Sequence, residues 1–555
     1  MKYFKLTFER ICLLGLLLCA SGLRALLAWA HWPLLNSDEG TMGIMAIHIQ
    51  HGERPIFFYG QNYMGALEAY IAAFFFEVLG SSIFTLRLGL ILLFGLFLLC
   101  MYLLTSQLYT KKFALFIVLL LSLGSSAVLA RQLSALGGYA ETILFTVLLF
   151  LLTYQLICSS IGGWPAKRLA LYACWGVVLG LALWCDALIL PWAICSGMLL
   201  LLFCWREASK GLALLGGLLL GALPLISYNI GAAPGQDSWS VLIGQQGSVP
   251  LTLPTILQQV KGTLELSIPT ISGNPFCHVD ELADIKVLGF APSQPATLQC
   301  HVLGGAWSLL YLALLLLSVS APLRLIYKEL VACHFRPWRL EERTEIARHA
   351  LLCSLCAAAL WTLLLYMRSH SPIDAPAEYA RYLICLWVVT PLVVWPLWRG
   401  AQWLTNQPIH FVQLKAWLCR GLLLLLLAVL CYGSYETVSE IPLAQAADQQ
   451  EVELITGLTQ HHITHIYTDY WTCNRLAFQS QERIICGVLA GGCTLQRGFH
   501  NRYAPYYTTV SQDYYAVYVI LSSTGCDMAV ARMMQQEGQS YTLFTLNNYS
   551  VYQPF

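Results

Sequence analysis

Charged residues are scarce in this sequence: only 11% of its 555 residues are Asp, Glu, Lys or Arg, whereas 57% are hydrophobic. A soluble domain has about 25% charged and about 45–50% apolar residues, so this composition excludes a soluble multidomain enzyme. The net charge of +1 provides neither a basic surface for nucleic acid nor an acidic tail. We therefore expect a polytopic membrane protein that does not bind nucleic acid.

Motifs of nucleotide- and zinc-dependent enzymes are also missing. The chain has no Gly-x-x-x-x-Gly-Lys-Ser/Thr loop, no Gly-x-Gly-x-x-Gly, no Gly-x-Ser-x-Gly, no His-Glu-x-x-His and no Asp-x-Asp. ATP-driven and zincin-type chemistry therefore lose support. The sequence also shows no internal repeat and no matching pair of broken spans, which disfavours many transporter folds.

Long apolar runs are abundant. A membrane-spanning helix needs about 20 mostly apolar residues, and the mean hydropathy of +0.62 leaves room for many such helices. The pattern predicts about eleven spans. They fall at residues 11–30, 84–105, 113–130, 137–158, 168–184, 187–205, 211–230, 303–327, 347–367, 381–399 and 414–435.

The basic residues predict the orientation of these spans, because Lys and Arg are retained on the cytoplasmic side. They concentrate in the N-terminal segment and in the loops after even-numbered spans, as with Lys111 and Lys167. The N-terminus is therefore predicted to be cytoplasmic. An odd number of spans then places the C-terminal region 436–555 outside, together with the loops 31–83 and 231–302. Because these are the largest segments outside the spans, we expect the functional site on the outer side of the membrane.

The composition changes after the last span. Residues 1–435 form the predicted transmembrane domain, whereas residues 436–555 are polar and rich in Tyr and turns, which predicts a small extracytoplasmic α/β domain. Its elements are predicted as helices near 448–460 and 527–536 and strands near 464–468, 483–488, 516–522 and 541–546.

The positions of the cysteines agree with large segments outside the membrane. Both large outer segments contain an even number of them, so disulfides are possible there in an oxidising compartment, although the sequence leaves their connectivity open. These cysteines are Cys277, Cys300, Cys473, Cys486, Cys493 and Cys526.

The clearest chemical signal follows the first span, in Asn36-Ser37-Asp38-Glu39-Gly40. This short polar turn predicts that Asp38 lies near a helix N-terminus at the membrane boundary. A carboxylate held beside a region of low dielectric suits a general base. The alternative, that Asp38 only caps the following helix, is equally open.

Other charged residues lie at the outer ends of the spans. Charged groups at such depth are costly, and they usually line a cavity or pair with each other. Ion pairs of Arg87 with Glu68, or of Arg131 with Glu141, are the structural alternative. The residues predicted to converge on one outer cavity are Glu68, Arg87, Arg131, Glu141 and Arg381.

The predicted location restricts the chemistry. No nucleotide pool exists outside the membrane, so group transfer there needs an activated donor that the membrane delivers. A lipid-phosphate donor fits, because its transfer requires a base for the acceptor hydroxyl and cations for the phosphate leaving group. Asp38 is the candidate base, and the candidate phosphate-binding cations are Arg87, Arg131 and Arg381.

Several short segments together resemble the GT-C membrane glycosyltransferases. The segments are Asp38-Glu39, Gly52-Glu53-Arg54-Pro55, Phe58-Tyr59-Gly60-Gln61, Leu86-Arg87-Leu88 and Arg381-Tyr382-Leu383. Within this superfamily the chain is similar to the bacterial family that groups with protein O-mannosyltransferases, aminoarabinose transferases and lipopolysaccharide-core galacturonosyltransferases. The resemblance covers about residues 8–435.

The resemblance implies a GT-C-like fold and an activity. A hexosyl or pentosyl group would pass from a polyprenyl-phosphate donor to an acceptor hydroxyl on a lipid, glycan or protein at the bacterial cell membrane. Asp38 would be the catalytic carboxylate and Glu39 its acidic partner. The residues expected around the substrates are Glu68, Tyr59, Gln61, Tyr63, Tyr139, Glu141 and Tyr382.

Two questions stay open at this point. Some relatives have a divalent metal near the donor phosphate, and His48 or Glu68 are the candidate ligands here, although no cluster with metal-ligand spacing is visible. The alternative functions are a flippase or transporter for a lipid-linked sugar, or a non-catalytic binding protein.

Overall fold

The protein is mainly helical, with a small sheet near its C-terminus. The structure, a computed structural model, describes residues 8–159, 165–245, 250, 252–276, 297–332, 340–402, 410–491, 493–522 and 525–555. Among these residues, 9 helices are long and apolar enough to cross a membrane, or up to 11 if each of two bent helix pairs is one span. The polytopic fold predicted from the apolar runs is thus confirmed.

The spans follow the predicted runs closely. Two of them are bent pairs, Lys111–Ser122 with Ser126–Leu133 at 89° and Gly211–Gly221 with Leu223–Gly231 at 65°. Two others begin with a 3₁₀ segment, Ala187–Ile189 and Tyr379–Val389. The spanning α-helices that are not bent pairs are Phe8–Trp29, Ile83–Leu108, Tyr139–Cys158, Pro165–Cys185, Leu190–Cys204, Leu298–Ala332, Leu340–Met367, Thr390–Gln402 and His410–Ser439.

Shorter helical segments lie between the spans. Two α-helices follow the first span, and we call them the first loop helix (Ser37–Gln50) and the second loop helix (Leu67–Leu79). The remaining segments are the 3₁₀ turn Trp205–Lys210, the π-helical turn Thr263–Ser267, and the α-helices Ser238–Gln245, Leu253–Gly262, Ile268–Ile271 and Ser371–Asp374.

Glycines let the fifth and seventh spans pack backbone to backbone. Gly176 and Gly180 on one helix face Gly217 and Gly221 on the other, and a Cβ on Gly217 would lie only 2.1 Å from the carbonyl oxygen of Ala173. Small residues at this four-residue spacing permit close approach of helices in a membrane, where apolar side chains gain little by leaving lipid. The glycine pattern therefore fixes this helix pair.

We expect Gly217→Ala to lower the free energy of unfolding by about 1–3 kcal/mol, because the added methyl group overpacks this contact. Gly216→Ala is the matched control, since no atom lies within 4 Å of a Cβ built on Gly216. Unfolding in mixed detergent measures both variants. Equal stability of the two would contradict the packing argument.

Asn36 starts the first loop helix. Its side-chain oxygen accepts a hydrogen bond from the backbone N–H of Glu39 at 2.8 Å, as an N-cap residue does. Asp38 is the second residue of the helix and does not cap it. The alternative interpretation of Asp38 as a helix cap is therefore wrong, and its side chain is available for other contacts.

The C-terminal region contains a five-stranded mixed sheet. The strands are β1 (His465–Thr468), β2 (Ile485–Val488), β3 (Val517–Leu521), β4 (Tyr541–Leu546) and β5 (Tyr549–Pro554). They lie in the order β2-β1-β3-β5-β4, with β1 parallel to β2 and β3, and β5 antiparallel to β3 and β4. Helices cover the parallel half, as βαβ connections require.

The predicted small α/β domain is present with three additional elements. Helix Asp527–Gln536 and strands β1 to β4 lie where they were predicted, and helix Ile441–Gln460 begins seven residues before its predicted start near residue 448. The prediction of β4 as the final strand is wrong, because β5 follows it. The helices Tyr470–Gln479, which we call the docking helix, and Ala504–Gln512 were also missed, since their polar and Tyr-rich segments lack an apolar period. The predicted domain boundary after residue 435 falls within the helix His410–Ser439 and stays a prediction.

Two disulfides join elements of this domain. Cys473 in the docking helix pairs with Cys486 in β2, and Cys493 pairs with Cys526. Cys300 is also disulfide-bonded, whereas Cys277 lies outside the described residues. Free cysteines among the described residues all lie between residues 12 and 431, in the part of the chain that contains the spans.

The docking helix packs directly on the first loop helix. A Cβ on Gly40 would lie 2.6 Å from the carbonyl oxygen of Asn474, and one on Gly43 would lie 2.5 Å from the ring of Phe478. The Ser37 hydroxyl also donates to the carbonyl of Tyr470 at 2.5 Å. The C-terminal domain is therefore seated on the segment that carries Asp38.

Candidate functional site

Two side chains of the C-terminal domain hold the Asp38 carboxylate. Arg502 donates to Asp38 Oδ1 from Nη2 at 3.1 Å, and the Tyr470 hydroxyl donates to the same oxygen. Burial and then the charge of Asp38 raise the pKa of Tyr470, so its hydroxyl keeps its proton. The Asp38 side chain is 20% exposed, which leaves it accessible to a small group.

Gln61, which was predicted near the substrates, contacts the same arginine. With its amide oxygen directed towards Arg502, it accepts hydrogen bonds from Nη1 at 3.0 Å and from Nη2 at 3.1 Å. Arg502 also lies over the ring of Phe58, 5.4 Å from its centroid. The aromatic segment after the first loop helix thus forms one wall around Arg502 and Asp38.

Arg131 and Arg381 form a cationic group near Asp38. Arg131 donates from Nη2 to the carbonyl of Ala377 at 2.5 Å, and Arg381 Nη1 lies 3.4 Å from a carboxylate oxygen of Glu378. Arg381 interacts electrostatically with Asp38 as well as with Arg131. The buried Nε groups of both arginines have no hydrogen-bond partner among the described residues, so both retain an N–H for an anion.

Aromatic residues surround Arg381. Its guanidinium lies 5.5 Å from the ring centroids of Tyr379 and Tyr382, which stack on each other with centroids 5.6 Å apart. Tyr139, the first residue of the fourth span, lies with its ring centroid 6.4 Å from that of Tyr382. Tyr63 is close enough to Tyr139 to interact with it electrostatically. Three of the predicted substrate residues, Tyr63, Tyr139 and Tyr382, thus lie together.

Glu39 and Arg87 pair with each other away from Asp38. Arg87 donates from Nε to Glu39 Oε1 at 2.9 Å and from Nη2 to Oε2 at 2.8 Å, and both side chains are fully buried. The alternative pairing of Arg87 with Glu68 is therefore wrong. The predicted catalytic role of Glu39 and phosphate-binding role of Arg87 stay predictions. The pair engages both oxygens of Glu39 with Nε and Nη2 of Arg87, and the buried Nη1 of Arg87 has no hydrogen-bond partner among the described residues.

Glu68 lies beside Glu141. One oxygen of Glu68 accepts from the backbone N–H of Gly137 at 3.0 Å. Burial and then the adjacent Glu141 raise the pKa of Glu68 well above its ordinary value, which favours the protonated carboxyl group. The alternative pairing of Arg131 with Glu141 is wrong, because Arg131 bonds backbone carbonyls instead.

Tyr59 belongs to the contact between the outer loop and the C-terminal domain. His48 lies 2.8 Å from the Tyr59 hydroxyl through Nδ1 and 2.8 Å from Glu482 through Nε2. Tyr503 in turn donates to Glu53 at 3.0 Å. These hydrogen bonds reinforce the packing of the docking helix on the first loop helix.

The described residues do not provide a metal site. No group of three His, Cys, Asp or Glu side chains is arranged for a metal within the part of the chain that the structure describes. Both candidate ligands are already engaged, His48 with Tyr59 and Glu482, and Glu68 with Gly137. A divalent metal near the donor therefore stays a prediction, with no ligand set among the described residues.

The site therefore combines expected and unexpected residues. Asp38 and Gln61, which the sequence singled out, contact Arg502, which it did not, and Asp38 also contacts Tyr470. Arg381, also singled out, lies near enough to Asp38 to interact with it electrostatically. Arg502 lies in a Tyr-rich segment that contains no recognisable motif, so nothing in the local sequence indicated that Arg502 belongs to the site. Gly40 and Gly43, two glycines one turn apart in a helix, were the available hint that another element would lie close to the first loop helix, because small residues allow close approach of helices.

Comparison with known proteins supports the same architecture. Neither a protein-family model nor a curated protein sequence matches the chain. Among solved structures, ArnT from Cupriavidus metallidurans in the apo state matches with a TM-score of 0.56 and 11% identity over 97% of each chain. ArnT from the same organism bound to undecaprenyl phosphate matches with a TM-score of 0.55 and 11% identity, also over 97% of each chain.

A weaker likeness is to the oligosaccharyltransferase of Archaeoglobus fulgidus in the apo form. Its TM-score is 0.47 at 14% identity, over 100% of this chain and 75% of that chain. The likeness to ArnT, which extends over nearly the whole of both chains, establishes that this protein has the fold of the GT-C superfamily. The fold predicted from the short segments after the first span is thus confirmed.

Proposed function

We propose that this protein is a glycosyltransferase that moves a sugar from a polyprenyl phosphate to an acceptor hydroxyl on the outer face of the membrane. The observation that carries the proposal is that the Asp38 carboxylate lies within electrostatic range of Arg381, and that Arg381 and Arg131 each have a buried N–H group with no hydrogen-bond partner among the described residues. A base and an anion-binding group near each other at a membrane boundary are what this reaction requires.

The reaction follows from the site. The acceptor hydroxyl gives its proton to Asp38 while its oxygen bonds to the anomeric carbon of the sugar. The bond from that carbon to the phosphate oxygen breaks, and polyprenyl phosphate leaves with the electron pair. Arg381 and Arg131 stabilise the negative charge that develops on the phosphate, since hydrogen bonds between charged partners are the strong ones.

The ion pair of Glu39 with Arg87 has a supporting role in this proposal. It joins the first loop helix to the second span through two hydrogen bonds. Because Glu39 directly follows Asp38 in the helix, the pair fixes the backbone from which the Asp38 side chain extends. Glu39 then acts on the reaction through position rather than by contact with substrate.

The outer location rests on two independent features. Lys and Arg concentrate in the loops predicted to be cytoplasmic. The cysteines of the C-terminal domain are paired, whereas free cysteines occur in the part of the chain that contains the spans. Disulfides persist in oxidising compartments, so an extracytoplasmic C-terminal domain agrees with both features.

The proposed donor class is supported by the fold. The similar ArnT structure is bound to undecaprenyl phosphate, a polyprenyl phosphate of the kind that a sugar donor would release. We therefore propose undecaprenyl-phosphate sugars as the first donors to test. The acceptor is proposed only as a hydroxyl group of a lipid, glycan or protein.

Release of undecaprenyl phosphate by the purified protein tests the function. The substrates are a panel of undecaprenyl-phosphate hexoses and pentoses, with and without acceptor extracts. Acceptor-dependent release identifies a transferase and its donor sugar. Binding of a donor with no release from any member of the panel would contradict the proposal and favour a transport or binding function.

We expect Arg381→Gln to weaken binding of undecaprenyl phosphate by roughly 10- to 100-fold. A hydrogen bond to a charged group contributes about 1.5–3 kcal/mol, and 1.4 kcal/mol corresponds to about tenfold in affinity. Arg368→Gln is the matched control, because Arg368 is exposed at the end of the ninth span on the same predicted side. Equal dissociation constants for the two variants would remove Arg381 from the phosphate site.

A further inference from the structure

The contacts to Asp38 come from the ends of two parallel strands in the C-terminal domain. Tyr470 lies two residues after β1, and Arg502 lies in the loop that follows β2. The carboxyl ends of neighbouring parallel strands meet at one edge of a sheet, where functional side chains are commonly placed. This edge is the one that faces the first loop helix.

The loop with Arg502 is held firmly. The Asn501 side chain accepts from the backbone N–H of Val488 at 2.8 Å and donates to the Val488 carbonyl at 3.1 Å. The backbone N–H of Gly498 donates to the same carbonyl at 2.8 Å, and the disulfide of Cys493 with Cys526 ties the start of the loop to the domain. Arg502 is therefore preorganised before any substrate binds.

Arg502 and Tyr470 bond only one of the two oxygens of the Asp38 carboxylate. Both Arg502 and Tyr470 bond Asp38 Oδ1, and the structure shows no hydrogen bond from a described residue to Oδ2. Arg502 Nε also donates to the Tyr470 hydroxyl at 3.0 Å, so arginine, tyrosine and Oδ1 form a closed triangle. The carboxylate has one fixed oxygen and one that is available to accept a proton.

We propose that Arg502 and Tyr470 are positioning residues that orient Asp38 so that Oδ2 receives the proton of the acceptor hydroxyl. The inference rests on the proposed transferase function and adds that the catalytic site is completed by the C-terminal domain. Throughout the step Arg502 keeps its charge and Tyr470 keeps its proton. The proton moves from the acceptor oxygen to Oδ2, while Oδ1 stays bonded to both donors.

The test compares Arg502→Ala with wild type in steady-state transfer. We expect kcat to fall on the order of 10²-fold with the donor KM unchanged, because misplacing a catalytic group by about 1 Å has an effect of this size. Arg502→Lys should keep part of the rate, since lysine retains the positive charge but lacks the planar guanidinium group with its several N–H donors. Guanidinium ions added at sub-denaturing concentration should restore part of the rate of Arg502→Ala.

The matched control is Arg497→Ala. Arg497 lies in the same loop and carries the same charge, but it is exposed and stacks over Tyr507 at 4.6 Å, so its rate should equal that of wild type. Tyr470→Phe, which removes a single hydroxyl group, is a second variant with little risk of misfolding. Its kcat should fall about tenfold, in line with about 1.5 kcal/mol for one hydrogen bond to a charged group.

Other outcomes overturn the inference. A wild-type rate in Arg502→Ala, or a raised donor KM with unchanged kcat, would show that Arg502 does not position Asp38. A loss that guanidinium does not rescue, together with a lower melting temperature, would show a structural role. If wild type releases no undecaprenyl phosphate, the proposed function itself fails; if wild type turns over but Arg502→Ala does so equally well, only the present inference fails.

Discussion

Asp38→Asn is expected to lower sugar transfer by about 10³-fold while the affinity for undecaprenyl phosphate stays close to that of wild type. General base catalysis contributes roughly 10²- to 10⁴-fold, and an amide does not accept a proton at neutral pH. The phosphate is assigned to Arg381 and Arg131, so donor binding does not depend on Asp38. An equal loss in kcat and kcat/KM is the signature of an interaction made only in the transition state.

The matched control for this variant is Asp237→Asn. Asp237 belongs to another loop on the same predicted side and accepts from the backbone N–H of Ser240 at 2.9 Å, a contact that Asn makes equally well. Undecaprenyl-phosphate release and donor binding are measured for both variants. A transporter would release no undecaprenyl phosphate in wild type and would bind the donor less well in Asp38→Asn. Full transfer activity in Asp38→Asn would refute the assignment of Asp38 as the base.

Replacing either member of the buried pair is expected to destabilise the protein strongly. Glu39→Leu or Arg87→Met leaves the partner charge buried and uncompensated, which costs about 3–5 kcal/mol. The double variant Glu39→Leu with Arg87→Met should recover most of this loss, because it removes both charges together. A double-mutant cycle from unfolding in mixed detergent isolates the interaction between the two side chains.

Arg54→Met is the control for loss of an arginine in the same outer loop. Arg54 is exposed, and surface substitutions usually change stability by less than about 0.5 kcal/mol. Additive effects of Glu39→Leu and Arg87→Met in the double variant would contradict the pairing. The double variant also tests the proposed supporting role: a stable protein with a reduced transfer rate would show that the pair fixes Asp38, whereas an unchanged rate would limit the pair to stability.

The limits of prediction from sequence are visible in the third span. Its apolar run at residues 113–130 correctly predicts a membrane segment, yet the two halves are bent by 89° between Ser122 and Ser126. Mean hydropathy is an average over a window of residues and contains no information on the direction of the helix axis, so it does not indicate the bend. The bend nevertheless matters for the site, because the short helix after it carries Arg131.

Local sequence determined the positions of the membrane-spanning segments and most of the elements. Transfer of apolar residues into lipid is nearly additive along a segment, so runs such as 84–105 are recognisable without knowledge of their neighbours. The polar turn before the first loop helix was recognisable for the same reason, because a helix N-cap is a contact over three residues. The resemblance of a few short segments was enough to predict the GT-C fold.

Tertiary structure decided which charges meet. Glu39 and Arg87 are 48 residues apart, and Asp38 and Arg502 are 464 residues apart. Their pairing depends on how closely whole elements approach, which Gly40 and Gly43 permit by leaving room for the docking helix. Because electrostatic interactions fall off with distance and gain strength in a medium of low dielectric, the partners of a buried charge are determined only when the chain is packed.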